Sequence, residues 1–486
     1  MKLFAPYVLP NPTAEPLSCE SAFQDANNSA NHFIRRTLSQ PAKIFQFRRL
    51  LGLDSQVIST LVFRAWTVAA GGIMIFLIPV WLTQVEQGYY YTFGALLALQ
   101  LFFELGMNQV VIQIVSHDFA HLDSPDAALR VRRLTQLLAL LKRWYRIASV
   151  LFFLAVSAGG AVFFQHKGQL PPSAWLAPWI LMVACTAFNL YWSVQLTFLE
   201  GCGEVAEVAR MRVVQSLAGN IFLWLAIACH AGLWAMTLVP AMAVIYSGLW
   251  LRQRPKVVHQ FAKFDLLDTA VQDNISWKRD IFPFQWRIAV SWISGYFIFQ
   301  LFTPLAFAKS GAIDAGRLGI SLAVFNALNT VAMSWVNAKV PAMAAYISRG
   351  DNPDALGLFV SVLKRSMAFI IIMTLAMVGL SALVTALDLP VAQRFVSLPV
   401  MLCIAAVTVA NAFVFAAAAF MRAHKEEPMM AVSVVSALAT LAIVSWLARF
   451  GVLPMMASYA AVVLGLSLPW TLLIFKRYVG RSSASH

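Results

Sequence analysis

The feature that most constrains this chain is an apolar segment of roughly twenty residues or more that recurs from about residue 56 to about residue 475. A helix needs ~20 mostly apolar residues to cross the hydrocarbon core of a bilayer. Segments meeting that length fall near 56–83, 88–115, 146–165, 174–199, 211–229, 232–251, 286–308, 316–346, 364–387, 395–421, 428–449 and 453–475. The expected fold is therefore an all-α integral membrane protein of about twelve transmembrane helices. Composition excludes a soluble globular alternative. Of the 486 residues, 60% are hydrophobic and 12% charged, against about 45–50% and about 25% in soluble domains.

Loop charge sets the expected orientation. With the N-terminus inside, the internal segments hold 29 of the 36 lysines and arginines and the external ones 5 (Lys167, Lys309, Arg317, Arg394, Arg449), leaving Arg64 and Lys339 within spans. Under the positive-inside rule this bias predicts cytoplasmic N- and C-termini. It also accounts for the net charge of +14 without nucleic acid. No apolar core follows the early charges, so residues 1–55 read as a polar, then basic segment with an interfacial helix near 33–53 rather than a signal peptide. Every external connection is short. The longer internal ones, 116–145 and 252–285, are basic, and Leu134, Leu137, Leu138, Leu141 and Trp144 fall at helical spacing. That stretch either lies on the inner leaflet or extends the third span inward.

The chain also repeats itself. Arg64, Gly72 and Pro79 in the first span are matched by Arg287, Gly295 and Pro304 in the seventh. Glu86-Gln87-Gly88 opening the second is matched by Asp314-Ala315-Gly316 at the eighth. We read two six-helix halves, 56–251 and 286–475, joined by a basic cytoplasmic linker at 252–285 and followed by a tail at 476–486. Halves related in this way suit a transporter that rocks around a central cavity, and the glycines and prolines permit kinks or close helix packing.

Ionisable groups at membrane depth cost ~2.5–3.5 kcal/mol on insertion scales and each needs an explanation. Glu104, with Asn108 one turn below it, is either a coupling site for a proton or ion or a hydrogen-bonded clamp between helices. Arg64 either binds an anionic headgroup or snorkels to the interface, and Arg287 sits at the membrane edge where snorkelling is easier. Lys339 lies deeper in the eighth span, where Asn326, Asn329 and Asn337 form one polar stripe expected to line the cavity. The lone amides Asn189, Gln195, Gln300 and Asn411 are expected to bridge helices. Trp81, Tyr89, Tyr90, Tyr91, Trp175 and Trp179 look like an aromatic belt at the external ends.

The five cysteines show no paired or metal-ligand spacing, so neither a disulfide framework nor a metal site is expected. No Walker A, HExxH or Gly-x-Ser-x-Gly sequence occurs, which argues against ATP-driven transport and against an enzyme. Three features together carry a resemblance: the Arg64-to-Leu82 stretch, the run Glu86-Gln87-Gly88-Tyr89-Tyr90, and Glu104-Leu105-Gly106-Met107. With these the chain resembles the polysaccharide flippases of the O-antigen (Wzx-like) type in the MATE/oligosaccharyl-lipid/polysaccharide exporter superfamily. The resemblance implies a V-shaped cavity lined by spans 1, 2, 7 and 8. It also implies transport of a polyprenyl-diphosphate-linked oligosaccharide from inner to outer leaflet for cell-surface polysaccharide biosynthesis. Arg64, Arg287 and Lys339 would be the available partners for the diphosphate. A proton or sodium gradient would supply the driving force, with Glu104 as the coupling residue. Membrane lipid and polysaccharide-assembly proteins would be partners, and the bacterial inner membrane the location. A drug/cation antiporter of the same superfamily and a membrane polysaccharide polymerase or ligase are the alternatives.

Overall fold

The computed structural model describes residues 55–121, 127–253, 282–424 and 428–484. The expected interfacial helix near 33–53 and most of the 252–285 linker lie outside the described residues. All regular structure among the described residues is helical. The helices are α1 (Ser55–Trp81), α2 (Gln84–Glu104), α3 (Met107–Ala120), α4 (Ala127–Lys167), α5 (Pro172–Gly201), α6 (Val205–Ala228), α7 (Gly232–Gln253), α8 (Phe282–Phe299), α9 (Phe302–Ser310), α10 (Ala312–Ser348), α11 (Asn352–Ala386), α12 (Leu398–Ala423), α13 (Met430–Phe450) and α14 (Val452–Val479). Nine of them are long and apolar enough to cross a membrane, and the count reaches eleven when the bent pairs α2–α3 and α8–α9 are each one span. The described apolar part of α1, Trp66–Trp81, falls short of the same length, so the twelfth span is not reached by this measure.

The two bends differ in kind. In the seventh span, Pro304 has no amide hydrogen to give the carbonyl of Gln300, and its ring crowds that carbonyl. The helix stops at Phe299, resumes at Phe302, and turns by 40°. Pro79 in α1 produces no such break. Nothing occupies the space beside Gly72 or Gly295 where a Cβ would stand, so neither glycine serves close packing. The second span breaks at Leu105-Gly106 and turns by 44°, a break the sequence reading did not anticipate.

The amphipathic stretch before the third span is part of one continuous helix. α4 runs for 41 residues, and Leu134, Leu137, Leu138 and Leu141 on its first half are buried. The buried Asp118 carboxylate at the end of α3 ties this extension down through Arg130 and Arg133, each at 3.5 Å.

Apolar packing is shared unevenly between the halves. One large core joins Tyr89, Phe93, Phe164 and Trp179 of the first half to Phe302, Phe307 and Ala315 of the second. Toward the lysine- and arginine-rich end the smaller cores belong to one half each, as with Leu196, Val208 and Leu251, or Val336, Phe359 and Phe420. On the periphery, Ile372 and Leu375 of α11 stand exposed, the surface expected to meet lipid. The expected aromatic belt is corrected by this packing. Tyr89, Trp175 and Trp179 are fully buried, the Tyr89 ring against Phe164 and Phe307, while Trp81 is 37% exposed.

Candidate functional site

The break in the second span builds the first part of the site. Leu105 (φ 50°) and Gly106 (φ 66°) both adopt the left-handed conformation. Gly106 is required there twice over: its positive φ favours glycine, and a Cβ would run into the side chain of Ile288 on α8. Leu105 has no such freedom, and a left-handed leucine costs about 1–2 kcal/mol. Strain of this kind persists where surrounding structure enforces it, and it concentrates at functional sites.

Glu104 is the last residue before the break, and Asn108 is in the first turn after it. The Asn108 side-chain oxygen accepts from the Tyr145 hydroxyl of α4 at 2.8 Å and from the Thr197 hydroxyl of α5 at 3.3 Å. Its nitrogen then donates to the Glu104 carboxylate at 3.4 Å. The carboxylate fixes which way the amide faces, because an ionised carboxylate only accepts and so takes the amide nitrogen, leaving the oxygen to the two hydroxyls. One turn further along α5, Glu200 pairs with Arg212 of α6 at 3.1 Å. A carboxylate inside the membrane is thus held by one amide, which two hydroxyls hold in turn. Tyr145 and Thr197 escaped sequence reasoning, because nothing local in α4 or α5 says that they converge on one asparagine.

The second part is the contact between halves. Gly88 on α2 and Gly316 on α10, equivalent in the repeat, meet face to face. A Cβ on Gly88 would overlap the backbone of Ala312, and one on Gly316 would stand 2.8 Å from the Gly88 nitrogen. Gly319 in turn packs on the Tyr91 ring. Gln87 seals the contact by donating to the carbonyls of Gly316 at 2.9 Å and Arg394 at 3.1 Å, while Arg394 donates back to its oxygen at 3.4 Å. Arg317 donates to the Gln393 carbonyl at 2.8 Å. Glu86, beside Gln87, is a helix cap whose carboxylate accepts from the backbone nitrogen and hydroxyl of Thr83. Tyr89 accepts backbone hydrogen bonds from Gln169 and Leu170. The end of the molecule poor in lysine and arginine is therefore closed.

The face of α10 that closes this end continues toward the basic end. At about 100° per residue, Ala312, Gly316 and Gly319 lie on one line with Asn326, Thr330, Ser334 and Asn337. The last four are exposed. Small residues touch the first half at one end, and polar residues open between the halves at the other. Exposed Gln109, Gln113 and Ser116 on α3 form a second polar line.

The remaining candidates are placed less favourably. Asn329 is half-buried at the edge of the stripe, with its oxygen enclosed and unpartnered among the described residues. Lys339 is exposed but stands roughly 200° around the helix from Asn337. It is therefore not a companion of the asparagine stripe, contrary to the expectation that grouped them. Arg64 and Arg287 belong to α1 and α8, but their side chains lie outside the described residues. Asn411 bridges helices as expected, donating to the Tyr459 hydroxyl at 3.4 Å, whereas Gln300 is exposed at the α8–α9 break. Among the described residues no cluster of histidine, cysteine or carboxylate residues could hold a metal ion.

No family model matches the sequence, and no curated protein matches it. The fold does have relatives. An outward-facing multidrug resistance MATE family transporter of the MOP superfamily aligns with a TM-score of 0.54 at 12% identity, over 90% of this chain and 99% of that one. The inward-facing conformation of such a transporter aligns at 0.52 and 11%, over 85% and 99%. The lipid II flippase MurJ, in an inward closed conformation, aligns at 0.54 and 12%, over 87% of each chain. At such identities the likeness is one of fold: two helical halves in the arrangement of these transporters.

Proposed function

We propose that this chain, folded like the MATE transporters and the MurJ flippase, is a membrane transporter working by alternating access, and that its cargo is a lipid-linked oligosaccharide. The observation that carries the reading is the continuous face of α10. It is sealed against α2 through Gly88, Gly316 and Gln87, then opens into the exposed stripe Asn326, Thr330, Ser334 and Asn337. A polar stripe on a spanning helix belongs to a water-filled or substrate-filled space rather than to lipid. Amides and hydroxyls are suited to sugar hydroxyls, which supports an oligosaccharide over a cationic drug.

In the proposed cycle the headgroup enters between the halves from the basic end, and its polyprenyl chain stays in the bilayer. The cations available for the diphosphate are Arg64 and Arg287; Lys339 is a weaker candidate because it is turned away from the stripe. Glu104 takes up and releases a proton or sodium ion, and the Asn108 hub passes that change to α4 and α5. The bias of lysine and arginine supports placing the basic end in the cytoplasm, and the bacterial inner membrane would be the location. Transport would then run outward, in the service of surface polysaccharide assembly.

The test is deletion of the gene in its host, with mass spectrometry of polyprenyl-diphosphate-linked oligosaccharides and their exposure to an impermeant sugar oxidant. Shielded, completed units that accumulate and are cleared by the restored gene are the expected result. Completed units that reach the outer leaflet but stay unpolymerised would point to a polymerase or ligase. Unchanged lipids would overturn the flippase reading in favour of the drug/cation antiporter.

A further inference from the structure

A groove on the outer surface of the first half stands apart from everything above. It runs between α4 and α5 and encloses about 450 Å³. Val150 and Phe153 line one wall, and Ala184, Phe188 and Tyr191 the other, with Arg146 at one end. Ser149, Ala184 and Ala187, all small, leave room among the larger side chains that line it. Val150 and Phe188 are more than half exposed, and the helices that α5 packs against most closely all belong to the first half, so the groove lies on that half's own surface.

Depth identifies the surroundings. From Arg146 to Lys167, the end of α4, is about 32 Å at 1.5 Å per residue, close to the ~30 Å hydrocarbon thickness. Arg146 therefore stands at the boundary of the hydrocarbon on the basic side, with Tyr191 beside it. The groove runs inward from there for about 10 Å, the seven residues from Arg146 to Phe153. Arg146 is exposed and pairs with no carboxylate among the described residues, and Arg143 is exposed one turn nearer the basic end.

We propose that this groove is a binding site for a bilayer phospholipid with an anionic headgroup. An acyl chain lies along Val150, Phe153, Ala184 and Phe188, and the headgroup phosphate pairs with Arg146. Phosphate is the anion available at that depth, and a guanidinium can hold it through two hydrogen bonds. A headgroup with no cation of its own leaves that charge to Arg146 and the neighbouring Arg143, which favours an anionic lipid over a zwitterionic one. The position on the lobe's outer face assigns the site to a resident lipid and not to the transported one. The site is accordingly independent of the cargo proposed above.

The experiment is native mass spectrometry of the full-length protein, titrated with phosphatidylglycerol and phosphatidylcholine of identical acyl chains. We expect phosphatidylglycerol to bind at least about fivefold more tightly. Arg146→Gln, a change at an exposed position, should reduce that preference below about twofold. Ala184→Phe, which fills the groove and keeps the charge, should weaken both lipids severalfold. Arg252→Gln, an exposed cation elsewhere at the basic end, should change nothing. Equal binding of the two lipids, or a preference that survives Arg146→Gln, overturns the proposal. An effect of Arg146→Gln with none from Ala184→Phe also overturns it, since the arginine would then attract headgroups without an occupied groove.

Discussion

Asn108 is the side chain on which the candidate site turns. It satisfies two hydroxyls and a carboxylate from three helices, and no shorter residue can reach all of them. Asn108→Ala would leave Tyr145, Thr197 and Glu104 short of partners in an apolar interior, where each unpaired group costs about 1–3 kcal/mol. Partial compensation by water should leave a net loss of about 2–3 kcal/mol, read as a lowered thermal midpoint in detergent. Glu104→Gln makes the opposite kind of change. A glutamine oxygen still accepts from Asn108, so the midpoint should hold while the charge is gone. If Glu104 couples transport to an ion, the pH or sodium dependence of transport in proteoliposomes should vanish with it. Transport that keeps its full ion dependence in Glu104→Gln would remove the residue from the coupling step. The sequence placed Glu104 and Asn108 on one helix face, but it could not distinguish a free carboxyl from one clamped through a shared asparagine.

At the scale of the element, the two broken spans differ in how far they could be read. Pro304 announces its break, because a missing amide hydrogen has the same local consequence in any helix. Leu105-Gly106 announces much less, since one glycine in an apolar helix is ordinarily tolerated. What limits the side chain at Gly106 is Ile288, approaching from another span more than 180 residues away in the chain. Gly106→Ala should therefore destabilise by about 1–2 kcal/mol for the backbone alone, and by more for the collision. Adding Ile288→Ala relieves the collision and leaves the backbone term, so the double variant should recover part of the loss. Full additivity of the two single losses in thermal unfolding would mean that the collision with Ile288 is not what excludes a side chain at this position.

The whole molecule is two halves that share a core at one end and separate at the other. Alternating access requires that shared end to open. Cysteines replacing Gln87 and Arg394, in a background with native cysteines changed to alanine, should be bridged by a short bifunctional thiol reagent. Bridging should stop transport by at least about tenfold, and reduction of a cleavable bridge should restore it. Transport that continues through the bridged protein would show that this end need not part.

The sequence by itself determined the class, the all-helical character and the two-part organisation. These follow from properties summed over long stretches: apolar length, the spread of lysine and arginine, and a repeat that sets Gly88 against Gly316 in register. It also singled out Glu104, because a carboxyl in an apolar run is conspicuous wherever the chain later goes. Only the tertiary structure decided that Tyr145 and Thr197 meet at Asn108, that Lys339 turns away from the asparagine stripe, and that Tyr89, Trp175 and Trp179 form core instead of a rim. In each case the deciding contact comes from another helix, and helical phase within one span says which residues share a face but not what that face meets.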